Sequence, residues 1–161
     1  MKIKLNSLKE ALVKREQLAE AGGSLVFTNG CFDLLHPGHL SYLSQARALG
    51  DALFIGLNSD DSTKRLKGPK RPVNNEMDRA YMLSGLYMVD SVIIFPEDTP
   101  LTLIEALKPD VVVKGGDWTV DNIVGGRETI ARGGKAVSLP FLPGFSTTEL
   151  IYRIVEVYTT S

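Results

Sequence analysis

Apolar and polar positions along the chain follow two periods, which predict strands and helices in alternation. Short runs of nearly continuous apolar residues predict strands, and they read LVFTN, ALFIGLNS, SVIIF, DVVVKGG and KAVSLP. Segments with helical spacing lie around them and read SLKEALVKREQLAEAGG, PGHLSYLSQARALG, NEMDRAYMLSGLYMV, TPLTLIEALK, TIARGG and STTELIYRIVEVY. Strands that are apolar on both faces are typical of a parallel sheet covered by helices on both sides. The pattern therefore predicts an α/β fold with one doubly wound, five-stranded parallel sheet.

Capping signals support two of the predicted helices. Ser7 and Glu10 have the spacing of a capping box at the first helix, and Ser146 and Glu149 have it at the last. Between the second strand and the next helix the chain is polar and basic from 60 to 74, which predicts a flexible loop.

The composition describes an ordinary globular protein of one domain, 1–161, in which a helix at 1–23 precedes a core at 24–161. With 161 residues and a net charge of -1, broad electrostatic binding to nucleic acid or to an anionic membrane is not expected. The single Cys31 excludes an internal disulfide and fits a reducing compartment. The N-terminus lacks a signal peptide and no apolar run is long enough to span a bilayer, so a cytoplasmic location is expected.

In parallel sheets of this kind, ligands bind beyond the carboxyl ends of the strands. The segments that follow the predicted strands read NGCFDLLHPGH, NSDDSTKRLKGPKR, PEDTP, KGGDW and PFLPGFSTT. Four of them are rich in glycine, basic, acidic or hydroxyl residues, which predicts a phosphate-binding rim.

The only two histidines of the chain, His36 and His39, lie in the first of these segments. Pro37 suits the first position of a helix, so Gly38 and His39 fall in a first turn whose free N–H groups attract anions. Two imidazoles beside that point could stabilise charge on a phosphorus centre. The structural alternative is a histidine cap followed by an ordinary surface histidine, and the complete pattern favours the functional interpretation.

The stretch GCFDLLHPGH resembles the His-x-Gly-His signature of the cytidylyltransferase-like nucleotidyltransferases. Further stretches resemble the branch of that family that makes ADP-heptose, and they read NSDDSTKRLKGPKRPVN, EDTPLTLIEALKPDVVVKGGDW and STTELI. The resemblance extends from Leu25 to Ile154. It implies a Rossmann-like nucleotidyltransferase fold, with AMP transferred from ATP to a heptose 1-phosphate by direct in-line attack on the α-phosphorus.

The resemblance also implies roles for individual residues. The catalytic residues would be His36, His39 and Lys67. The nucleotide would be bound by Asn29, Gly30, Cys31, Phe32, Gly38, Lys64, Arg79, Lys114, Gly115, Asp117, Ser146, Thr147 and Thr148. The acceptor would be bound by Asp33 and Arg71. Mg²⁺ would be carried by phosphate oxygens and water, so no protein ligand is predicted for it.

Most of these residues also have a structural explanation. A basic run is usually a solvated face, and within it Lys67 is favoured over Lys64 as the phosphate ligand. Arg79 has an equally weighted alternative, a surface ion pair with Glu76 or Asp78.

Each of the remaining motifs likewise has both a functional and a structural explanation. A plain turn explains the glycines of KGGD but not Lys114 emerging from a buried strand, while Asp117 is a candidate for sugar hydroxyls. Ser146 is explained by helix capping alone, although three consecutive hydroxyl residues are not. Asp33 would either bind acceptor hydroxyls or brace the loop.

Two features of the sequence narrow the choice of nucleotide and acceptor. Some cytidine-using relatives carry an arginine where this chain reads FLPG, which argues against CTP. Dual-function relatives also carry a sugar kinase domain that this sequence does not contain, so the acceptor is expected to arrive phosphorylated. The alternatives are glycerol 3-phosphate with CTP, flavin mononucleotide with ATP, a non-catalytic nucleotide-binding module or, least favoured, a DNA-binding module. Homodimers are common in the family, and LYMVDSVIIF would supply an apolar interface.

Overall fold

The computed structural model describes residues 3–116 and 118–159. Within this part of the chain lie five β-strands: β1 (Leu25–Gly30), β2 (Ala52–Asn58), β3 (Ser91–Phe95), β4 (Val111–Gly115) and β5 (Lys135–Leu139). The α-helices are α1 (Leu8–Glu20), α2 (Pro37–Arg47), α3 (Asp60–Lys67), α4 (Glu76–Ser84), α5 (Leu101–Leu107), α6 (Gly126–Ala131) and α7 (Thr147–Thr159). A short 3-10 helix occupies Val120–Asn122. The predicted alternation of strands and helices is confirmed.

All five strands form one parallel sheet in the order β3-β2-β1-β4-β5. The central strand β1 pairs on both edges, so that Thr28 lies between Ile55 of β2 and Val113 of β4. The chain reverses its direction of winding on either side of β1, and such a switch point opens a crevice at the carboxyl ends of the strands. The predicted fold class is confirmed.

Helices cover both faces of the sheet because the strands are apolar on both sides. One face carries α2 and α4, whose Leu43 and Leu83 are fully buried against it. The opposite face carries α1 and α5, with Ile104 fully buried. The predicted capping box of α1 is present, with Ser7 and Glu10 each accepting from the other's backbone N–H.

The segment from 60 to 74 is not a loop throughout, so that prediction was wrong for its first half. α3 begins after Ser59, whose hydroxyl accepts from the Ser62 N–H. Its first turn is acidic and its last turn is basic, which complements the helix dipole. Only the residues from Gly68 onward connect α3 to α4.

α4 is shorter than predicted and ends at Ser84, before the segment LYMVDSVIIF. That segment supplies little apolar surface for an interface, contrary to expectation. Most of its apolar side chains are buried in the core as β3 and its approach, whereas Tyr87 is 85% exposed. No helix in residues 3–116 and 118–159 is long and apolar enough to cross a lipid bilayer.

Candidate active site

A cavity of about 690 Å³ opens at the carboxyl ends of the strands. This volume is typical of small-molecule sites. Most of the predicted site residues line it: Asn29, Gly30, Cys31, Phe32, Asp33, His36, Gly38, His39, Lys67, Arg71, Lys114, Gly115, Ser146, Thr147 and Thr148. Lys64 and Arg79 do not belong to this lining, and Asp117 lies outside the described residues.

The connection from β1 to α2 forms the floor of the cavity. Phe32 adopts a left-handed backbone conformation with φ of 45°, which is costly for a residue with a side chain and typical of functional turns. His36 is the N-cap residue of α2, and Pro37 follows at the helix start. A Cβ added to Gly38 would lie 3.0 Å from His36 Nδ1 and 3.2 Å from the Phe145 Cβ, so glycine keeps this helix end open.

The two imidazoles stack on each other, with ring centroids 3.8 Å apart and an interplanar angle of 22°. His36 makes no side-chain capping hydrogen bond, so helix capping does not explain it. Both Nδ1 atoms are buried without a hydrogen-bond partner among the described residues. Unpaired buried polar atoms are rare and call for a ligand, a water or a chemical role.

The environment keeps both histidines neutral near pH 7. Burial lowers the pKa of His39 to about 4, and the adjacent His36 lowers it further in the same direction. Burial also lowers the pKa of His36, against an opposing effect of the Glu149 carboxylate. A neutral imidazole offers one N–H donor, and an anion bound between the rings would favour their protonated forms.

Asp33 braces the floor of the cavity. Its carboxylate is fully buried and accepts from the backbone N–H of Val73 at 2.8 Å and of Asn74 at 3.0 Å. It also accepts from Arg71 Nε. Burial alone would raise the pKa of Asp33, but these hydrogen bonds outweigh it and the pKa is lowered. Because its oxygens are already engaged, the geometry favours the bracing role over contact with a ligand.

Arg79 lies beneath the floor and is fully buried. Its guanidinium donates to the carbonyl oxygens of Cys31 and Asn74, and to the Asp60 carboxylate at 2.8 Å. The predicted ion pair with Glu76 or Asp78 was wrong, because the side chain points inward. Arg79 thus ties the turn after β1 to the starts of α3 and α4.

The lysines of α3 point in different directions. Lys67, in the last turn, lines the cavity, whereas Lys64 pairs with Asp61 at 3.5 Å on an exposed surface. Lys114 enters the cavity from β4. Burial lowers the pKa of Lys114, and the charge of Lys67 acts in the same direction. Two ammonium groups therefore face one cavity, an arrangement that attracts a polyanion.

The start of α7 forms a second helix N-terminus at the cavity. Ser146 accepts from the Glu149 N–H at 3.0 Å, which is one half of the predicted capping box. The Thr147 hydroxyl donates to the Leu34 carbonyl at 3.4 Å, so α7 is joined to the connection that carries the histidines.

The sequence alone did not identify four aromatic residues of the lining, which are Tyr42, Trp118, Phe141 and Phe145. Trp118 Nε1 donates to the Gly115 carbonyl at 3.0 Å. The Phe141 ring lies so close to Gly115 that an added Cβ would come within 2.7 Å of it. Trp118 and Phe141 form an apolar wall beside Gly115 and Gly116, at the end of β4, whereas Phe145 lies against Gly38 at the start of α2. For Trp118, Phe141 and Phe145, the position after predicted strands was the available signal.

Comparison with known proteins agrees with this geometry. The model of the cytidylyltransferase-like family matches residues 27–153. The chain is 58% identical over 138 residues to the bifunctional protein HldE of Hyphomonas neptunium, covering 86% of this chain and 28% of that protein. It is 49% identical over 158 residues to the HldE of Pelobacter propionicus, covering 98% of this chain and 32% of that protein. The chain thus spans about a third or less of these relatives.

Solved structures show the same fold. A lipopolysaccharide core biosynthesis protein from Thermoplasma volcanium superposes with a TM-score of 0.61 at 30% identity, over 75% of this chain and 98% of that one. Pantoate-beta-alanine ligase from Francisella tularensis gives a TM-score of 0.60 at 14% identity, over 99% of this chain and 80% of that one, which shows the fold alone. The chain therefore belongs to the cytidylyltransferase-like family and is a nucleotidyltransferase.

Proposed function

We propose that this chain transfers AMP from ATP to a heptose 1-phosphate, giving ADP-heptose and pyrophosphate. The observation that carries the chemistry is the stacked pair of neutral histidines at the start of α2, inside a cavity that also contains Lys67 and Lys114. The choice of substrates is supported by the sequence resemblance, by the names of the HldE relatives and by the lipopolysaccharide protein of similar structure. ATP and sugar phosphates are metabolites of the cytoplasm, where we place the reaction.

The nucleotide would lie across the switch point of the sheet. Flat apolar rings on the β4–β5 side suit a planar base, and Trp118 and Phe141 provide them. The phosphates would then extend toward the histidines and the starts of α2 and α7, where unpaired N–H groups favour negative charge. Lys67 would neutralise the outer phosphates.

In the reaction, an oxygen of the acceptor phosphate forms a bond to the α-phosphorus of ATP. The bond from that phosphorus to the bridging oxygen breaks, and pyrophosphate leaves with the electron pair. Charge grows on the oxygens around the α-phosphorus, and His36 and His39 would each donate an N–H to it. The two stacked rings line the cavity, and this fits a pair of groups held ready for such a ligand.

Mg²⁺ fits this cavity as a companion of the triphosphate. Among the described residues, no group of three or more His, Cys, Asp or Glu side chains could hold a metal ion. Mg²⁺ commonly keeps several waters and binds through substrate phosphates, so it needs no such group. When bound, it would neutralise charge on the phosphate oxygens.

Pyrophosphate release tests the proposal directly. The purified chain would be assayed with Mg²⁺, crossing ATP, CTP and GTP against α- and β-heptose 1-phosphate, glycerol 3-phosphate and flavin mononucleotide. We expect release only with ATP and one heptose anomer. Release with another pair would show that the substrates differ from the proposed ones, while the nucleotidyl transfer itself would stand. The absence of release with every pair would contradict the proposed reaction.

Arg71 is expected to bind the phosphate of the acceptor. Its Nε is paired with Asp33, and its side chain lines the same cavity as the histidines. A guanidinium held at Nε still offers its terminal N–H groups to a phosphate. Arg71→Gln is expected to raise the KM for the heptose 1-phosphate by about 10- to 100-fold, with little change in the KM for ATP.

Lys70→Gln is the matched control for this prediction, because Lys70 is the adjacent residue, is exposed and is not part of the cavity lining. It removes the same charge and should leave both KM values near those of the parent chain. Steady-state pyrophosphate release with each substrate varied in turn provides both constants. An equal rise in the KM for ATP in Arg71→Gln would assign Arg71 to the nucleotide instead.

A further inference from the structure

Asn58 is a buried polar residue of the cavity lining that has no part in the steps described above. It is the last residue of β2, and only 2% of it is exposed. Its side-chain nitrogen Nδ2 donates to the Ser62 hydroxyl at 2.9 Å. Its oxygen Oδ1 has no hydrogen-bond partner among the described residues, and it is not sealed from solvent as the two histidine Nδ1 atoms are. Unpaired polar groups at such a depth are rare and indicate a ligand or a water.

The neighbouring hydrogen bonds fix the direction of the Asn58 amide. The Ser62 hydroxyl has one proton, and it donates this proton to the Glu97 carbonyl at 2.8 Å. Ser62 can therefore only accept from Asn58, so the amide nitrogen and not the amide oxygen must face it. Oδ1 is held on the other side of the amide as an acceptor without a donor. A ligand that pairs with Oδ1 must bring an O–H or N–H group.

Asn58 lies across β1 from the apolar wall of Trp118 and Phe141. β2 and β4 pair with opposite edges of β1, and the wall stands at the end of β4. Neighbouring strands are about 4.8 Å apart, so about 10 Å separates the ends of β2 and β4. This separation leaves room for a ribose and a phosphate. A base stacked on the wall therefore lies too far from Asn58 to pair with it.

The composition of the lining divides the cavity in the same way. The lining residues that follow β2 and β3 are mainly charged or polar, and they include Lys67, Arg71, Asp98 and Thr99. The lining residues that follow β4 and β5 include more apolar side chains, which are Trp118, Ile123, Val124, Phe141 and Leu142. A phosphorylated molecule with several hydroxyls fits the first half, and a planar base fits the second. The Asp33 carboxylate is already engaged, so the hydroxyls need another partner.

We propose that Asn58 Oδ1 accepts a hydrogen bond from one hydroxyl of the acceptor sugar. This inference rests on the proposed function. Arg71 binds the phosphate of the acceptor and Asn58 binds its sugar, at the end of β2. A site built to pair with a substrate hydroxyl rejects an analogue that lacks it, because a buried polar group is then left without a partner. Asn58 therefore selects acceptors that carry a hydroxyl at one particular position.

The test varies the protein and the acceptor together. Asn58→Leu keeps a branched side chain but has no acceptor atom. The acceptors are the reactive heptose 1-phosphate and its monodeoxy analogues, each of which lacks one hydroxyl. Pyrophosphate release at saturating ATP gives kcat/KM for each acceptor. Asn122→Leu is the matched control, because Asn122 also lines the cavity but is exposed and follows β4.

We expect Asn58→Leu to lower kcat/KM for the complete acceptor by about 10- to 100-fold, because one substrate hydroxyl loses its partner. In the parent chain and in Asn122→Leu, one monodeoxy analogue should show a loss of similar size. In Asn58→Leu, that same analogue should react as well as the complete acceptor. The KM for ATP should stay near the parent value.

A loss in Asn58→Leu that is equal for every acceptor would overturn the inference, since partial unfolding or a purely structural role lowers all rates together. A raised KM for ATP with an unchanged kcat/KM for the acceptor would assign Asn58 to the nucleotide and would also overturn it. Failure of the proposed function gives a different result. The parent chain itself would then release no pyrophosphate with the complete acceptor, which would overturn both proposals.

Discussion

Replacing His39 with alanine is expected to lower kcat for pyrophosphate release by about 10²- to 10³-fold. One hydrogen-bond donor aimed at developing charge is worth a factor of this size in comparable sites. The charge develops on the oxygens of the α-phosphorus, and the stacked pair of histidines stands at the helix end that would receive it. His36→Ala should give a loss of similar size. The double variant should lose much less than the product of the two factors, because residues that act as a unit are not additive.

The fold should tolerate these changes. The Nδ1 atoms of both histidines are buried without described partners, so their removal leaves no other group unpaired. Urea unfolding curves of the alanine variants are therefore expected to resemble that of the parent chain. His39→Gln retains an amide donor and should recover part of kcat. Near-normal turnover in both alanine variants would rule out a catalytic role for the pair.

Replacing Arg79 with methionine is expected to lower the free energy of unfolding by about 3 kcal/mol. The guanidinium is fully buried, and its loss leaves two carbonyl oxygens and the Asp60 carboxylate without their donor. Removing one partner of a buried ion pair commonly costs about 3 to 5 kcal/mol, and Asp60 retains some contact with water, which moderates the loss. Activity should also fall, because the Cys31 carbonyl belongs to the turn that carries the histidines.

Arg65→Met is the matched control for this prediction. Arg65 also pairs with an aspartate, Asp98 at 2.7 Å, but both side chains are about half exposed. Exposed ion pairs are typically worth less than about 1 kcal/mol, so this variant should unfold close to the parent chain. Equilibrium urea unfolding followed by circular dichroism measures both. Equal decreases in the free energy of unfolding would show that losing the buried contacts of Arg79 costs no more than losing an exposed ion pair.

The sequence predicted the sheet and most of the cavity for the same physical reason. Carboxyl ends of parallel strands meet at one edge, so segments that follow different strands must converge there. Lys114 and Ser146 are far apart in sequence from His36, yet all three line one cavity. No knowledge of side-chain orientation is needed for that step.

The sequence did not predict the direction in which individual side chains point. Arg79 and Lys64 have the residue types of phosphate ligands, but one turns inward beneath the floor and the other points to an exposed surface. The direction depends on the helical phase of α3 and α4, and α3 was not predicted. The Asp33 carboxylate was likewise satisfied by backbone groups of residues 73 and 74, a tertiary contact that no local pattern encodes.

Because of the order of strands in the sheet, the cavity can form only late in the synthesis of the chain. Val26 of β1 pairs with Val111 of β4. One edge of the central strand therefore stays unpaired until 85 further residues have been synthesised. Ser146 to Thr148 emerge later still, after β5. A ribosome adds about 5 to 20 residues per second, which leaves the growing chain for several seconds with the histidines made and the opposite wall missing. A nucleotide that contacts both walls can stabilise only the finished domain, so under the proposed function ATP would stabilise completed molecules and would not guide their early folding.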